Sequence, residues 1–238
     1  MKKLVYVLAL SMSLIGFSQS QSNRIAFSIG QGGGDKSILS NTSNGGWITS
    51  KLIDKGIEGS EYVYKSWRQR AVVTSIDGKQ YVVPFMNFNA RLNRFAANLS
   101  YDSKGVQSVS RDSVFMFNNS GVLKVVMNNK EFVKVSNKFY EVVFAKKDTR
   151  LLKLYKATVK EAPFNPMTQQ KTGKDKMVVE SSYFLEKEGV NEFKLKTKTV
   201  LALLNDKEAE VKKFIKANKL SVKNENHLTR IFNYYKSL

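Results

Sequence analysis

The stretch RAVVTSIDGKQYVVPF, residues 70–85, decides the fold of this chain. Two short apolar runs, Ala71–Val73 and Tyr81–Val83, flank the pair Asp77-Gly78. β-branched and aromatic residues favour strands, and an Asp-Gly pair between two such runs is a strong signal for a tight β-hairpin. The stretch therefore predicts two antiparallel strands joined by a short turn.

The same pattern of apolar runs and turn residues recurs along most of the chain. The further predicted strands are EYVYKSW (61–67), SVFMF (113–117), GVLKVVM (121–127), EFVKV (131–135), KFYEVVFA (138–145), RLLKLYKATV (150–159), MVVESSYFLE (177–186) and NEFKLKT (191–197). No long helical pattern separates these runs, so they favour hairpin-connected strands over alternating strand and helix units. We therefore expect an antiparallel sheet that is curved or partly closed.

The longest connection, APFNPMTQQKTGKDK at residues 162–176, holds two of the three prolines and shows no strand pattern. A segment of this length without secondary structure inside a domain is usually functional or disordered. We interpret it as the disordered tip of a hairpin.

Near the C-terminal end, apolar residues recur at helical spacing. Asn205 and Asp206 are typical helix-capping residues, and a second helix is predicted to begin near Asn224. The two apolar stripes are Val211, Phe214 and Ile215, then Leu228, Ile231, Phe232 and Tyr235. Each stripe needs a partner, so we expect a helical hairpin over about residues 199–238 that packs on the sheet. The predicted fold class is therefore α+β, a sheet followed by C-terminal helices.

The first residues, MKKLVYVLALSMSLIGFSQS (1–20), have the layout of a secretory signal peptide. Two lysines precede an apolar run shorter than the roughly 20 residues of a membrane span, and Ser18 and Ser20 follow at suitable cleavage positions. We therefore expect export to the periplasm or beyond. A flexible lead-in rich in Gly, Ser and Asn is expected over residues 21–46, and a single domain over residues 47–238.

The segment GQGGGDKS, residues 30–37, nearly matches a phosphate-binding loop. Lys36 and Ser37 stand at the required positions, but Asp35 replaces the second glycine. Its carboxylate would repel phosphate oxygens, and no helical pattern follows. We therefore assign the segment to the lead-in and not to a nucleotide site.

Four parts of the chain resemble a group of small, exported, functionally uncharacterised proteins of two-membrane bacteria. They are GSEYVYKSWRQRAVV (59–73), PFMNFNA (84–90), RLLKLYKA (150–157) and the ending VKKFIKANKL…LTRIFNYYKSL (211–220 and 228–238). In that group a β-rich body ends in lysine-rich helices and a paired aromatic tail. The resemblance implies export and this fold, and it implies no activity.

Residue types that usually carry catalysis are scarce. The chain has no cysteine, and His227 is its single histidine, so thiol catalysis, disulfides and sites built from several histidines have no candidates. The candidate acids for a glycosidase pair are Asp54, Glu58, Glu61, Asp77, Asp102 and Asp112. None lies in a diagnostic motif, and we interpret them as solvated turn acids. We predict no catalytic residue, no metal and no cofactor.

The strongest candidate binding site is a group of basic and aromatic residues. The formal net charge is +19 and most basic residues are lysines, yet arginines cluster near a tryptophan in SWRQR and NARLNR. The predicted anion-binding residues are Trp67, Arg68, Arg70, Arg91 and Arg94. Arg68 and Arg70 are expected on one face of a strand, where two guanidinium groups can bind a phosphate or carboxylate. The alternative is that the arginines pair with nearby turn acids, Glu58, Glu61 or Asp77.

These observations favour an exported, non-enzymatic binding or structural module of the periplasm. Its expected partner is an anionic envelope component or an acidic protein. Peripheral membrane contact fits this interpretation, whereas nucleic acid does not fit the location, and no transmembrane helix is predicted in the mature chain. The alternative is a periplasmic carrier that holds a lipid or other apolar ligand in the curved sheet. An enzyme acting on glycans ranks third.

Export predicts a processed N-terminus near Ser18 or Ser20, because a signal peptide is removed from the mature protein. Mass spectrometry of the protein recovered from its native cells measures this directly. An intact Met1 on protein found in the cytosol would contradict export and reopen the nucleotide-binding interpretation of residues 30–37.

Overall fold

The computed structural model describes residues 45–49, 56–98 and 113–238. The strands are β1 (Gly45–Thr49), β2 (Glu58–Gly59), β3 (Gln69–Ser75), β4 (Gln80–Asn89), β5 (Arg94–Asn98), β6 (Ser113–Phe117), β7 (Val122–Met127), β8 (Lys130–Val135), β9 (Lys138–Lys146), β10 (Thr149–Lys160), β11 (Phe164–Asn165), β12 (Gln170–Lys171), β13 (Lys176–Glu186) and β14 (Val190–Glu192). The helices are α1 (Thr197–Leu203), α2 (Glu208–Ala217) and α3 (Glu225–Ser237). A β-rich body followed by C-terminal helices confirms the α+β class.

The predicted signal peptide and the segment GQGGGDKS lie outside the described residues. Strand β1 begins at Gly45, so the last two residues of the predicted lead-in, 45–46, belong to the sheet.

The main sheet has the strand order β1-β6-β5-β4-β3-β7-β8-β9-β10-β13-β14. Neighbours in this order pair antiparallel, whereas β2 joins β13 in parallel, with Glu58 beside Lys176 and Gly59 beside Met177. The sheet is therefore mixed, and the expectation of a purely antiparallel sheet is too simple. The parallel pair arises because β2 enters beside the start of β13 from a distant part of the chain.

The hairpin predicted at Asp77-Gly78 is confirmed as β3 and β4. The Ser75 N–H donates to the Lys79 carbonyl at 2.9 Å, and the Gly78 N–H donates to the Ser75 carbonyl at 2.9 Å. Gly78 has a φ of 79°, a conformation that L side chains rarely adopt. Glycine at this position therefore closes the turn without strain.

Strands β7 to β10 form a meander in which each strand pairs with the next. Asn128-Asn129 joins β7 to β8, with φ of 54° and 58°, and Ser136-Asn137 joins β8 to β9, with φ of 47° and 65°. Two consecutive positive φ values are typical of the tight hairpin turns that match strand twist, and Asn tolerates them. The predicted strands of this region are confirmed.

The segment EYVYKSW is the clearest departure from the predicted strands. Only Tyr62 bridges to Asn89 of β4, and the chain then leaves the sheet until Gln69. In this gap the fully buried Asn87 side chain replaces the missing strand pairing. Its Nδ2 donates to the Tyr64 carbonyl at 2.7 Å, and its Oδ1 accepts from the Tyr64 N–H at 3.1 Å.

The connection at residues 162–176 is not a disordered tip, because it contains the paired strands β11 and β12. Together with the ends of β10 and β13 it forms a protruding hairpin, here called the hairpin arm (residues 159–177). The predicted strand NEFKLKT ends early, at Glu192. Phe193 and Leu195 nevertheless pack against the helices, as their alternation with lysines predicts.

Phenylalanine rings fill the main core of the sheet. The Phe95 ring lies 4.9 Å from Phe88, 5.3 Å from Phe132 and 5.0 Å from Phe139, measured between centroids. All four side chains are at most 1% exposed. Strands β5 and β9, which carry Phe95 and Phe139, are separated by four strands in the sheet order. Side chains from distant strands therefore meet in one core.

The helices build a second core against one end of β9 and β10. Leu228, Ile231 and Phe232 of α3 are buried, as predicted, and the Phe232 ring stacks on Phe144 with centroids 4.4 Å apart. Asn224 caps α3, accepting from two backbone N–H groups. Three helices therefore take the place of the predicted hairpin of two, and the last one closes the core.

Phe232→Ala should lower the free energy of unfolding by about 3–5 kcal/mol, because a large buried ring is replaced by a cavity. Tyr234→Ala is the matched control. Tyr234 is half-buried on the same helix as Phe232, and its ring stacks on Phe214 of α2. Thermal and urea unfolding of both variants measures the difference. Equal and negligible losses would contradict the core-closing role of α3.

Candidate functional site

Trp67 lies on the face of the sheet opposite the phenylalanine core, here called the outer face. It packs near Ala96, Val114 and Met116, and its ring meets Tyr62 edge-on with centroids 4.6 Å apart. Ala96 alternates with the inward-facing Phe95, so this contact defines the outer face of β5 and β6. The predicted aromatic residue is therefore held in place by the sheet and remains half-buried.

Three of the predicted arginines lie close to this tryptophan in the chain or on the same face of the sheet. Arg68 follows it in the chain, Arg70 is two residues further along, and Arg94 shares the outer face of β5 with Ala96. All three are exposed and form no ion pair with any described carboxylate. Trp67, Arg68, Arg70 and Arg94 are called the arginine patch below.

The structure places only Arg70 of the pair Arg68 and Arg70 on a strand. Arg68 precedes strand β3, and Arg70 is its second residue. The register of β3 on β4 shifts at this point, but the extra residue lies on β4, where Phe85 has a φ of 53°.

Arg91 departs from the other arginines because it has a carboxylate partner. Its Nη1 lies 3.8 Å from a Glu61 oxygen, and Glu61 also accepts a hydrogen bond from Asn89 at 2.5 Å. The other two acids considered as partners are paired with lysines, Asp77 with Lys79 and Glu58 with Lys174. The alternative of surface ion pairs therefore applies to Arg91 alone.

The candidate catalytic residues that lie in the described ranges form hydrogen bonds or ion pairs within the fold. His227 accepts a hydrogen bond from the Ser221 N–H on Nδ1 at 3.1 Å, which ties α3 to the preceding turn. Asp54, Asp102 and Asp112 lie outside the described residues. In the described ranges, no three His, Asp or Glu side chains form a group that could hold a metal ion.

A polar cluster that the sequence did not reveal separates the two cores. Along β10, Leu151 faces the helical core, Tyr155 faces the phenylalanine core, and Lys153 lies between them on the same face. Glu141 of β9 and Tyr183 of β13 are the cross-strand neighbours of Lys153. We call these three residues, with Tyr155 and Glu225, the polar rung.

The polar rung is closed by hydrogen bonds and ion pairs. Lys153 is 4% exposed and pairs with Glu225, the first residue of α3. Tyr183 donates to the same carboxylate at 3.1 Å. Tyr155 donates to Glu141 at 2.5 Å, and Lys130 lies 3.0 Å from Glu141. Each carboxylate is therefore engaged by a lysine and a tyrosine hydroxyl.

Burial and charge shift the pKa values of three members of the polar rung, Tyr155, Tyr183 and Glu225. Burial, with the nearby charge of Glu141, raises the pKa of Tyr155 far above neutrality, and burial with the charge of Glu225 raises that of Tyr183. Burial alone would raise the pKa of Glu225, but its hydrogen bond and ion pair with Lys153 lower it overall. The tyrosines stay protonated donors and Glu225 stays ionised. The rung therefore attaches α3 to the sheet.

Comparisons of the chain with protein-family models, with curated proteins and with solved structures find no match. Among the described helices, none combines the length and apolar character needed to cross a membrane. Function must therefore be inferred from the side chains themselves, and the arginine patch is an exposed basic group that forms no ion pair with a described carboxylate.

Glu225→Gln should lower the free energy of unfolding by about 1–3 kcal/mol, because it leaves the buried Lys153 without an anionic partner. The loss is smaller than for a fully buried pair, since the Glu225 side chain is 51% exposed and partly screened by water. Glu180→Gln is the control, because its pair with Lys160 lies at the surface. Urea unfolding at pH 7 should show the smaller loss for the control.

Glu225→Gln should also make the free energy of unfolding less dependent on pH in the acidic range. The pKa of Glu225 is lower in the folded protein, so its contribution is present above the unfolded pKa of about 4.3 and is lost as pH falls further. The unmodified protein should therefore lose stability below about pH 4.3 more steeply than Glu225→Gln. Parallel curves for the two proteins would contradict the ion pair.

Proposed function

We propose that the protein is an exported, non-enzymatic binding module of the periplasm. Its arginine patch binds phosphate or carboxylate groups of an anionic envelope component or partner protein. The observation that carries this proposal is that Arg68, Arg70 and Arg94 are exposed and have no described carboxylate partner. Guanidinium groups form paired hydrogen bonds with such anions, and the net charge of +19 attracts them.

The periplasmic location is proposed because the N-terminal sequence favours export. Residues 1–20 have the layout of a signal peptide, and the resemblance to exported proteins of two-membrane bacteria points the same way. A chain without cysteine must obtain its stability in that compartment from its core, and the buried phenylalanines supply one.

We also propose that the sheet curves around its own core, which favours a binding module over a lipid carrier. A flat sheet would hold β5 and β9 roughly 24 Å apart at the usual strand spacing, yet Phe95 and Phe139 are in ring contact. The Ala157 N–H of β10 also donates to the Ala90 carbonyl after β4 at 3.4 Å. A carrier needs an apolar cavity of roughly 300–1,000 Å³, whereas the core of the described residues is occupied by phenylalanine rings that are at most 1% exposed.

Replacing the patch arginines should weaken anion binding specifically. Arg68→Gln, Arg70→Gln and Arg94→Gln combined should raise the Kd for soluble polyphosphate at least tenfold at 150 mM salt. Tenfold corresponds to about 1.4 kcal/mol, no more than one charge-assisted hydrogen bond contributes. Isothermal titration calorimetry measures this change.

The matched control removes the same charge elsewhere. Lys212, Lys213 and Lys223 are exposed near the C-terminal helices and form no ion pair with described acids. Their combined change to Gln should alter the Kd less than threefold. Equal weakening by both triple variants would show that only the overall field attracts the anion, and the arginine patch would be rejected as a site.

A further inference from the structure

The hairpin arm carries three of the seven exposed large apolar side chains of the described residues, including the most exposed one. Met167 is 93% exposed and Phe164 is 61% exposed, and both lie at its end. Val159, further down the arm, is 44% exposed. Isolated exposed apolar residues are ordinary on protein surfaces, but two at the end of one protruding element form a contact point.

The arm has a defined structure. The β10 and β13 strands pair as far as Lys160 and Lys176, and the end is closed by the pair β11 and β12. Asn165 accepts a hydrogen bond from the Met167 N–H at 2.9 Å within the terminal turn. At the base, the Glu58 N–H donates to the Asp175 carbonyl at 2.8 Å. The fold therefore presents Met167 at the apex.

Lysines outnumber acids along the hairpin arm. Residues 160–176 contain four lysines, at 160, 171, 174 and 176, and two acids, Glu161 and Asp175. Lys176 forms no ion pair with a described acid, whereas the other three lysines have carboxylate partners at the surface. Lysine side chains can lie along an apolar surface while the ammonium group stays in water. The arm therefore combines an apolar end with an excess of positive charge below it.

We propose that the hairpin arm inserts Phe164 and Met167 into the headgroup region of an anionic lipid bilayer. A bilayer surface satisfies both features at once, because the apex reaches the acyl boundary while the lysines meet the phosphates. The inference rests on the proposed function for the exported location and anionic partner.

The absence of cysteine makes the insertion directly measurable. In Met167→Cys, an environment-sensitive fluorophore labels that single position. Vesicles of phosphatidylglycerol and phosphatidylcholine should shift its emission to the blue, whereas phosphatidylcholine alone should not. The same label at Ile76→Cys, which is 67% exposed in the β3–β4 turn, should show no shift. Absence of a shift at position 167, or equal shifts at both positions, overturns the proposal.

Unlabelled variants test the contribution of the apex to affinity. Phe164→Ser with Met167→Ser should lower the partition coefficient on anionic vesicles at least tenfold in co-sedimentation. Ile76→Ser with Leu123→Ser, an equally apolar exposed pair, should change it less than twofold. Vesicle binding by the arm variant at the unmodified level overturns the proposal. Circular dichroism confirms that each variant is folded.

The two proposals fail in distinguishable ways. If polyphosphate binding ignores the arginines but the label at position 167 still responds to anionic vesicles, the arginine patch is rejected and arm insertion stands. If polyphosphate binding depends on the arginines and the label does not respond, arm insertion is rejected and the patch stands.

Discussion

Contact among the phenylalanine rings of β4, β5, β8 and β9 is the interaction on which the other features depend. Phe88 and Phe95 come from one pair of neighbouring strands, and Phe132 and Phe139 come from another pair, with β3 and β7 between the two pairs. Their rings meet within 5.5 Å. A chain without disulfides keeps distant strands together by such burial. The arginines on β3 and β5 hold fixed positions because the opposite faces of these strands are anchored in this core.

Strand β10 links this core to the helices. One of its faces contributes Tyr155 to the phenylalanine core and Leu151 to the helical core, with Lys153 between them. A lysine at this position is tolerable because Glu225 supplies an opposite charge at the start of α3. The ion pair therefore fixes where α3 begins, and stacking of Phe232 on Phe144 fixes its distance from the sheet.

Local patterns predicted the features that depend on neighbours in sequence. The hairpin at Gly78 and the turns at residues 128–129 and 136–137 carry their own signals, as do the apolar stripes of the helices. The strand predicted at residues 61–67 was wrong because the composition of this segment suits a strand. In the structure its backbone pairs with the Asn87 side-chain amide instead of with a neighbouring strand. The polar rung was not predictable, since Lys153 and Glu225 are 72 residues apart. The residues of the arginine patch were found from the sequence by residue type. Only the structure shows that its arginines have no described carboxylate partner.

The short turns of the β7–β10 meander have a consequence for the order of folding. Each closes a loop of only two residues, so pairing these strands costs little chain entropy. The pairs β3 with β7 and β2 with β13 instead close long loops. Their contacts must offset a larger loss of chain entropy, so these pairs form later. We therefore expect the meander to be the first part of the sheet to form, with Phe132 and Phe139 already in place when Phe95 arrives. Hydrogen exchange during refolding would then protect the meander before β5.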